Sequence, residues 1–295
     1  MNRRTIFGIL LSAAVLLTGC AVQTEETSGG GEDIHMTEDG EYYTFQDVEG
    51  NSYEAPLLAD VPQCTYDFDN LETDETTGYK KFDDEENGVT ARLGIDVSEF
   101  QGEAIDWKQV KASGIKFVII RLGYRAYGEN GELVLDAMYE QNIEGALDAG
   151  LEVGVYFFSQ AVNAAEAVEE AEFVLDNLAS YKMTGPVVYD TEEIKWDTAR
   201  TDDNTKQEFT NYCKVFCDTV EQAGYAPMIY SNMKWMAFTL DMSELSEYDF
   251  WYADYHEKPQ CPYDYKIWQY SEDGVVPGIN ANVDMNLWFE KKNET

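Results

Sequence analysis

The segment Pro186-Val187-Val188-Tyr189-Asp190-Thr191-Glu192 places a short apolar run directly before two carboxylates. The run predicts a buried β-strand, and strand side chains alternate between faces, so Asp190 and Glu192 point the same way with about 6.5 to 7 Å of backbone between them. A chain this acidic contains such triplets by chance on solvated surfaces, but the apolar approach sets this one apart. Two acids on one face resist joint ionisation, which raises the pKa of one and leaves the other charged.

Similar apolar runs recur on both sides of this segment, separated by amphipathic stretches. Together with 187–190 they give eight strands, the others being 93–96, 117–121, 153–158, 228–230, 250–253, 265–270 and a last short one near 282–284. Repeated strand-helix units predict a parallel sheet covered by helices. We therefore expect an α/β fold, an irregular TIM-like (β/α) barrel. A doubly wound open sheet is the alternative, but no Gly-rich phosphate loop follows the first strand.

Two helices are predicted with particular clarity, and few follow them. Apolar residues recur at helical spacing over Ala164–Leu178, where Asn163 and Glu166 resemble a capping box. A second helix runs from about residue 204 to 223 and ends at Gly224. Beyond Tyr230 strand-like runs persist while helices become scarce, so the final third of the barrel should have few helices.

The N-terminus has the pattern of an export signal. Arg3 and Arg4 precede an apolar run from Ile6 to Leu17, which is too short for a spanning helix. The run closes with Leu17-Thr18-Gly19-Cys20, which resembles the bacterial lipobox, in which Cys20 would be lipid-modified. An ordinary cleaved signal peptide is the alternative. We expect residues 1–20 to be a lipoprotein signal and the chain to be extracytoplasmic, anchored to the bacterial membrane by its lipid.

The segment between this signal and residue 92 divides into two parts. Residues 21–40 are rich in Glu, Thr, Ser and Gly and indicate a flexible tether. Residues 41–91 form a β-rich extension, with a hairpin predicted from Tyr42–Phe45, a turn at 49–51 and a return strand at 52–54. The barrel domain would then occupy residues 92–295.

Composition excludes several classes of function. The chain of 295 residues has 20 Lys and Arg against 57 Asp and Glu, a net charge of -37, which repels phosphate backbones, so nucleic acid is not an expected partner. Only His35 and His256 are present, which leaves almost no material for a histidine metal site or a Ser-His-Asp triad. We expect no metal, no cofactor and a monomeric chain.

The cysteines after Cys20 indicate packing more than chemistry. Cys213 and Cys217 lie four apart on the core face of a predicted helix and resemble small buried hydrophobes. A disulfide between Cys64 and Cys261 would fit an exported protein, but nothing in the sequence requires it.

In a parallel barrel the reactive groups gather where the strands end. Four acids stand at such ends, Asp96, Asp190 with Glu192, and Asp284, among several aromatic residues. Carboxylates handle protons and hydroxyls, and aromatic faces stack on the C–H surfaces of sugars, so this set favours a neutral, hydroxyl-rich substrate. The candidate substrate-binding residues at the same strand ends are Arg121, Tyr124, Tyr156, Phe158, Trp251, Asp254, Gln269 and Tyr270.

Several motifs, in order and spanning roughly residues 92 to 289, resemble glycoside hydrolase family 25, the muramidases. They are Gly94-Ile95-Asp96-Val97-Ser98 with Gln101-Gly102, Asp106-Trp107, Gly154-Val155-Tyr156-Phe157, Asp190-Thr191-Glu192, Trp251-Tyr252-Ala253, Trp268-Gln269-Tyr270 and Val283-Asp284-Met285-Asn286. The resemblance implies an irregular barrel and hydrolysis of the β-1,4 bond between N-acetylmuramic acid and N-acetylglucosamine in peptidoglycan.

The resemblance also implies roles for the four acids. Glu192 would be the general acid and later the base, and Asp190 would raise the pKa of Glu192 and orient the sugar. Asp96 and Asp284 would position substrate and tune charge. Either an enzyme carboxylate or the substrate's own N-acetyl group attacks the anomeric carbon; we favour the acetamido group, with retention. The chain departs from many members after the second strand, where Arg121-Leu122-Gly123-Tyr124 replaces a Lys-x-Ser/Thr-Glu-Gly run.

Other interpretations remain open at this point. Trp251, Trp268 and Tyr270 could be core aromatics, Arg121 could be a structural ion partner, and the acids could hold Ca²⁺ or Mg²⁺, although no dedicated calcium loop is present. The chain could also be a catalytically silent cell-wall glycan binder or a chitinase-like N-acetylglucosaminidase. Chitinase-like enzymes usually carry more acids upstream in this strand, where Val187 and Val188 stand here.

Overall fold

The structure, a computed structural model, describes residues 34–37, 40–102, 104–128, 130–195 and 197–292. The predicted signal peptide, Cys20 and most of the tether lie outside these residues. The strands that precede the barrel are β1 His35–Thr37, β2 Gly40–Gln46, β3 Ser52–Pro56, β4 Leu71–Thr73 and β5 Lys80–Asp84. The next strands are β6 Val89–Val97, β7 Phe117–Arg125, β8 Leu133–Leu135, β9 Glu152–Phe158, β10 Val187–Asp190, β11 Pro227–Asn232, β12 Asp249–Ala253, β13 Ile267–Gly274 and β14 Val283–Lys291.

Eight of these strands close into a barrel in the order β6-β7-β9-β10-β11-β12-β13-β14, with β14 pairing back to β6. This confirms the predicted eight-stranded TIM-like barrel and excludes the open sheet. The strands from β6 to β13 are parallel, whereas β14 is antiparallel to both of its neighbours. The last strand is also longer than the short one predicted near 282–284, because its ladder with β6 continues from Asp284 to Lys291.

The helices are α1 Trp107–Ala112, α2 Tyr139–Asp148, α3 Ala164–Leu178, α4 Lys206–Gln222, α5 Met233–Phe238 and α6 Met242–Leu245. The Asn163 side chain caps α3 by accepting from the N–H of Glu166, but the Glu166 carboxylate accepts from Val162, so the predicted capping box is incomplete. α4 begins with a complete box between Thr205 and Glu208. Only short helices follow β11, as the final third of the sequence predicted. None of the described helices has the length and apolar character needed to cross a membrane.

Large apolar side chains fill the inside of the barrel below its carboxyl end. The interior cluster consists of Phe117, Ile119, Val188, Met228, Tyr230, Trp251, Ala253 and Ile267. Gly94 on β6 makes room for this packing, since a Cβ at that position would lie 2.3 Å from the ring of Phe117. The plugged interior leaves the carboxyl end of the barrel as the place where side chains can form a cavity.

The segment before β6 covers the side of the barrel that lacks long helices. Tyr66 stacks on Phe289 of β14 with ring centroids 4.4 Å apart, and Phe82 meets the same ring edge-on at 5.1 Å. Phe68 packs against Trp268 of β13 at 6.2 Å. These aromatic rings are buried, and they cover the barrel strands on this side as the long helices do elsewhere.

The four cysteines in the described part of the chain are free thiols. Cys64 and Cys261 therefore form no disulfide here. Cys213 and Cys217 are buried on α4, packed as small hydrophobic side chains.

Candidate active site

The four predicted acids meet in one cavity at the carboxyl end of the barrel. The cavity has a volume of about 250 Å³. It is lined by Asp96, Tyr156, Asp190, Glu192, Tyr230, Trp251, Tyr255, Gln269, Glu272 and Asp284. Asp96 and Asp190 stand near the ends of β6 and β10, Glu192 lies in the following loop, and Asp284 begins the antiparallel β14.

Asp96 and Asp284 are directly opposite each other in the ladder between β6 and β14. Side chains at such positions are about 5 Å apart at Cβ, and two like charges there destabilise the sheet. Burial, followed by the charge of Asp96 and a hydrogen bond to it, raises the pKa of Asp284 to about 9. Asp284 is therefore protonated at neutral pH and donates to Asp96, so the two acids carry one negative charge.

Two amides hold that charge on Asp96. Gln269 Nε2 and Asn286 Nδ2 both donate to Asp96 Oδ2, at 2.9 and 2.8 Å. Burial raises the pKa of Asp96, and the hydrogen bonds from Asn286, Gln269 and Asp284 offset part of that rise. The result is a buried carboxylate fixed in place by three donors.

Aromatic side chains orient both amides. Tyr230 and Tyr255 each donate a hydroxyl to Gln269 Oε1 at 2.9 Å, which leaves the Gln269 NH₂ to face Asp96. Trp251 Nε1 donates to Asn286 Oδ1 at 2.7 Å, with the same effect on Asn286. The aromatic residues of the cavity thus decide which way its amides point.

Asp190 and Glu192 occupy the opposite wall of the cavity. Burial and then the charge of Asp96 raise the pKa of Glu192 to about 7, so Asp96 has the effect on Glu192 that the resemblance implied for Asp190. Burial, followed by the charges of Glu192 and Asp96, raises the pKa of Asp190, while Arg121 lowers it. Asp190 is only 5% exposed, and its Oδ1 is buried without a hydrogen-bond partner in the protein. The wall therefore offers a carboxyl that holds a proton near neutral pH beside an oxygen that lacks a donor.

Three of the predicted substrate-binding residues line this cavity: Tyr156, Trp251 and Gln269. Their neighbours explain their positions, since Trp251 and Gln269 belong to the network around Asp96 and the ring of Tyr156 packs edge-on against Trp251 at 6.0 Å. Asp254 does not line this cavity and lines an adjoining groove instead. Its carboxylate accepts from the hydroxyl of Tyr252 at 2.6 Å and from the N–H of Gln260 at 2.9 Å.

Four of the predicted substrate-binding residues do not line the cavity. Arg121 pairs with Asp136 at 2.7 Å and Glu99 at 2.9 Å, so its cation is engaged as a structural ion partner. Tyr124 lies under that guanidinium, 5.4 Å from it. Phe158 lies two residues after Tyr156, at the end of β9, and does not line the cavity.

Tyr270 is the fourth, and it occupies the outer face of β13. Side chains alternate along a strand, so the residue after the inward Gln269 points outward. Tyr270 packs against Trp268 with ring centroids 5.7 Å apart, and its hydroxyl accepts from the N–H of Lys80. Trp268 and Tyr270 are therefore core aromatics shared between the barrel and the extension.

Four residues of the site were missing from the predicted set: Tyr230, Tyr255, Glu272 and Asn286. Two had a usable signal, since Tyr230 ends the predicted strand 228–230 and Asn286 lies two residues after Asp284, on the same strand face. Tyr255 and Glu272 had no such signal in the sequence. The position of Tyr255 depends on the path of the loop after β12, and that of Glu272 depends on the bulge within β13.

The carboxyls of the cavity are suited to proton transfer. In the described residues no group of three or more His, Cys, Asp or Glu is arranged to hold a metal ion. A carboxyl with a pKa near 7 can donate a proton to a leaving oxygen and recover it from water, and neighbouring acids can orient or stabilise the reacting group.

Comparison with known proteins agrees with this arrangement. Residues 95–279 match the family model for glycosyl hydrolases family 25. An uncharacterised protein, YegX of Escherichia coli O6:H1, is 28% identical over 198 residues, which are 66% of this chain and 68% of that protein. The autolytic lysozyme of Clostridium acetobutylicum is 25% identical over 198 residues, 67% of this chain and 56% of that protein. Among solved structures, the modular autolysin LytC of Streptococcus pneumoniae has a similar fold, with a TM-score of 0.59 and 23% identity over 87% of this chain and 58% of LytC.

Proposed function

Because this chain belongs to glycosyl hydrolases family 25, we propose that it hydrolyses the β-1,4 bond between N-acetylmuramic acid and N-acetylglucosamine in peptidoglycan. The observation that carries the proposal is Glu192, a carboxyl with a pKa raised to about 7 in a cavity with three other acids. The lysozyme relative from Clostridium acetobutylicum supports the choice of substrate.

In the proposed reaction Glu192 donates its proton to the leaving glycosidic oxygen and then accepts one from water. The negative charge of the pair formed by Asp96 and Asp284 keeps that proton on Glu192 and stabilises positive charge that develops at the anomeric carbon. Each role follows from the network of hydrogen bonds around Asp96.

Asp190 provides the contact to the reacting sugar. Its buried Oδ1, which lacks a partner in the protein, accepts a hydrogen bond from the N–H of the substrate's acetamido group. This bond orients the acetamido oxygen toward the anomeric carbon, so we favour substrate assistance and retention of configuration. Proton NMR of the first product formed would show the β-anomer, and an α-anomer would refute this part of the proposal.

The test of the activity is the release of reducing ends from purified peptidoglycan. Wild-type protein should release them, and Glu192→Gln, which keeps the shape of the side chain but cannot give up a proton, should lose nearly all activity. Mass analysis of the products should find N-acetylmuramic acid at the reducing end. Binding to peptidoglycan without any release would favour a silent glycan binder, and cleavage of chitooligosaccharides alone would favour a chitinase-like enzyme.

We further propose that the chain is exported and held at the membrane by a lipid on Cys20. Support comes from the apolar run between Ile6 and Leu17 and from the lipobox pattern that ends at Cys20, all outside the described residues. The protein should fractionate with membranes, and Cys20→Ala should move it to the soluble fraction. Recovery of both forms in the same fraction would refute the anchor.

A further inference from the structure

A second groove continues from the cavity and reaches the N-terminal extension. Its volume is about 230 Å³, and it shares Glu192, Tyr230, Tyr255 and Glu272 with the cavity. Each space alone is smaller than the roughly 300 Å³ at which ligand pockets usually begin, whereas the continuous cleft exceeds that size. A bound chain at the catalytic acids can therefore extend into this groove.

One wall of the groove is the turn between β2 and β3, which we call the hairpin turn, residues 46–49. Gln46, Asp47 and Val48 line the groove. The Asp47 carboxylate accepts from the N–H groups of Glu49 and Asn51, at 3.0 and 2.9 Å, and so fixes the shape of the turn. These residues precede the part of the chain that matches the family model, so the hairpin turn is an addition to the barrel.

The hairpin turn is held against the barrel on two sides. The backbone N–H of Gln46 donates to Gln260 Oε1 at 2.8 Å, and Gln260 Nε2 donates back to the Gln46 carbonyl at 3.0 Å. Gln260 is only 6% exposed and belongs to the loop after β12. On the other side, Glu49 pairs with Lys195 at 3.0 Å, three residues after Glu192. The turn is thus a fixed wall that bridges two loops of the active face.

The groove is lined by aromatic rings and by acids such as Asp47, Glu193 and Asp254, which suits the uncharged N-acetylglucosamine residue better than the lactyl carboxylate of N-acetylmuramic acid. Tyr230, Trp235 and Tyr255 supply aromatic surface, and Val48 is 62% exposed, which leaves its methyl groups free to contact sugar C–H bonds. Lys195, one of its two lysines, is neutralised by Glu49. The other lies over the ring of Tyr53, 5.8 Å from its centroid.

We propose that the hairpin turn forms a further sugar-binding subsite, so that this protein acts on extended glycan chains in preference to short fragments. The proposal rests on the proposed function and adds that the enzyme prefers longer glycan substrates. The wall that Val48 presents contacts a sugar beyond the two that flank the bond to be cleaved. The ion pair between Glu49 and Lys195 holds that wall at its distance from Glu192.

The test compares kcat/KM for two peptide-free glycan fragments of peptidoglycan. The disaccharide in which N-acetylmuramic acid is linked β-1,4 to N-acetylglucosamine fills only the two sites that flank the bond, and an eight-sugar fragment reaches the further subsite as well. Val48→Asn removes the apolar contact at an exposed position, so activity on the longer fragment should fall roughly three- to tenfold while activity on the shorter one stays within about twofold of wild type. Glu49→Gln should act in the same direction, and the charge swap Glu49→Lys with Lys195→Glu should restore the preference for length. Glu244→Gln, which breaks another surface ion pair, with Lys214 at 3.0 Å and away from the groove, is the control and should change neither rate.

Two results would overturn the subsite. Equal losses on both fragments would mean that the turn only positions the catalytic loop, and no loss on either would place the bound chain elsewhere. If wild-type protein cleaves neither fragment, the proposed function fails on its own. Calorimetric titration of the same fragments then decides the subsite, which requires that Val48→Asn weaken binding of the longer fragment alone.

Discussion

Replacing Asp96 by Asn should shift the pH dependence of hydrolysis toward acid. In the native site Asp96 carries the negative charge that it shares with Asp284, and this charge is the second cause, after burial, of the raised pKa of Glu192. The Asn side chain keeps the shape and still accepts hydrogen bonds from Gln269 and Asn286, but it carries no charge. The substitution therefore isolates the electrostatic contribution of Asp96 from its packing.

The size of the shift follows from the pKa of Glu192. Its rise from the ordinary value of 4.5 to about 7 corresponds to roughly 3 kcal/mol in favour of the protonated form. Burial is the larger cause, so the charge of Asp96 accounts for about one pH unit or less. A general acid works only while protonated, so activity falls as pH rises through its pKa. In Asp96→Asn this decline should move from about pH 7 to about pH 6, which leaves roughly a tenth of the protonated Glu192 at pH 7.5.

The assay is the release of reducing ends from soluble peptidoglycan, measured as kcat/KM between pH 4 and 9. Glu193→Gln is the matched control, because it removes one negative charge beside Glu192 from an exposed side chain that water screens. The control should leave the alkaline decline in place. An Asp96→Asn profile that keeps the wild-type decline, or moves it toward alkaline pH, would refute the electrostatic role assigned to Asp96.

Three further predictions concern the network, the fold and their pH dependence. Tyr230→Phe or Tyr255→Phe alone should cost under about 1 kcal/mol in kcat/KM, because the other hydroxyl still orients the amide of Gln269. The double variant should lose clearly more than the sum of the two single losses. Strictly additive losses in this double-mutant cycle would contradict the shared role. Phe289→Ala should lower the free energy of unfolding, measured by urea titration, by about 3 to 5 kcal/mol, because it leaves a cavity between the extension and the barrel. A loss below about 1 kcal/mol would show that the packing of the extension contributes little to stability. Glu170 and Asp284 have pKa values raised to about 7 and about 9, so the native state binds more protons than the unfolded chain above about pH 4. Thermal stability should therefore decline from pH 5 to pH 9. A melting temperature that rises over this interval would contradict these pKa values.

The sequence predicted the parts of this molecule that depend on local pattern. The alternation within each strand and the apolar runs were enough for the eight-stranded barrel, and the helical spacing of α3 matched its bounds. The four acids were predicted because parallel strands must end at one face of a barrel. Strand alternation was the reason given for Glu192, but β10 ends at Asp190, so the loop after the strand places Glu192 in the cavity.

What the sequence did not predict depends on contacts between distant residues. Tyr270 was assigned to the substrate although its place after Gln269 makes it point outward, because the inward residue of that pair was not fixed until β13 had paired with β14. The orientation of the two amides toward Asp96 depends on hydroxyl and indole donors from three other elements. For Arg121 the sequence left a substrate contact and a structural ion pair both open, because its partner Asp136 lies in a loop whose path has no signature in the sequence.

The closure of the barrel by β14 has a consequence for the time at which activity begins. Asp96 and Asp284 face each other only because the last strand pairs with the first, and Asn286 arrives with the same strand. A ribosome releases residues 283–291 after all other strands, so an incomplete chain lacks both the proton that Asp284 contributes and a donor that steadies Asp96. The network around Asp96 is therefore completed only when the last strand closes the barrel, so a chain in which β14 has not yet paired with β6 lacks part of its active site.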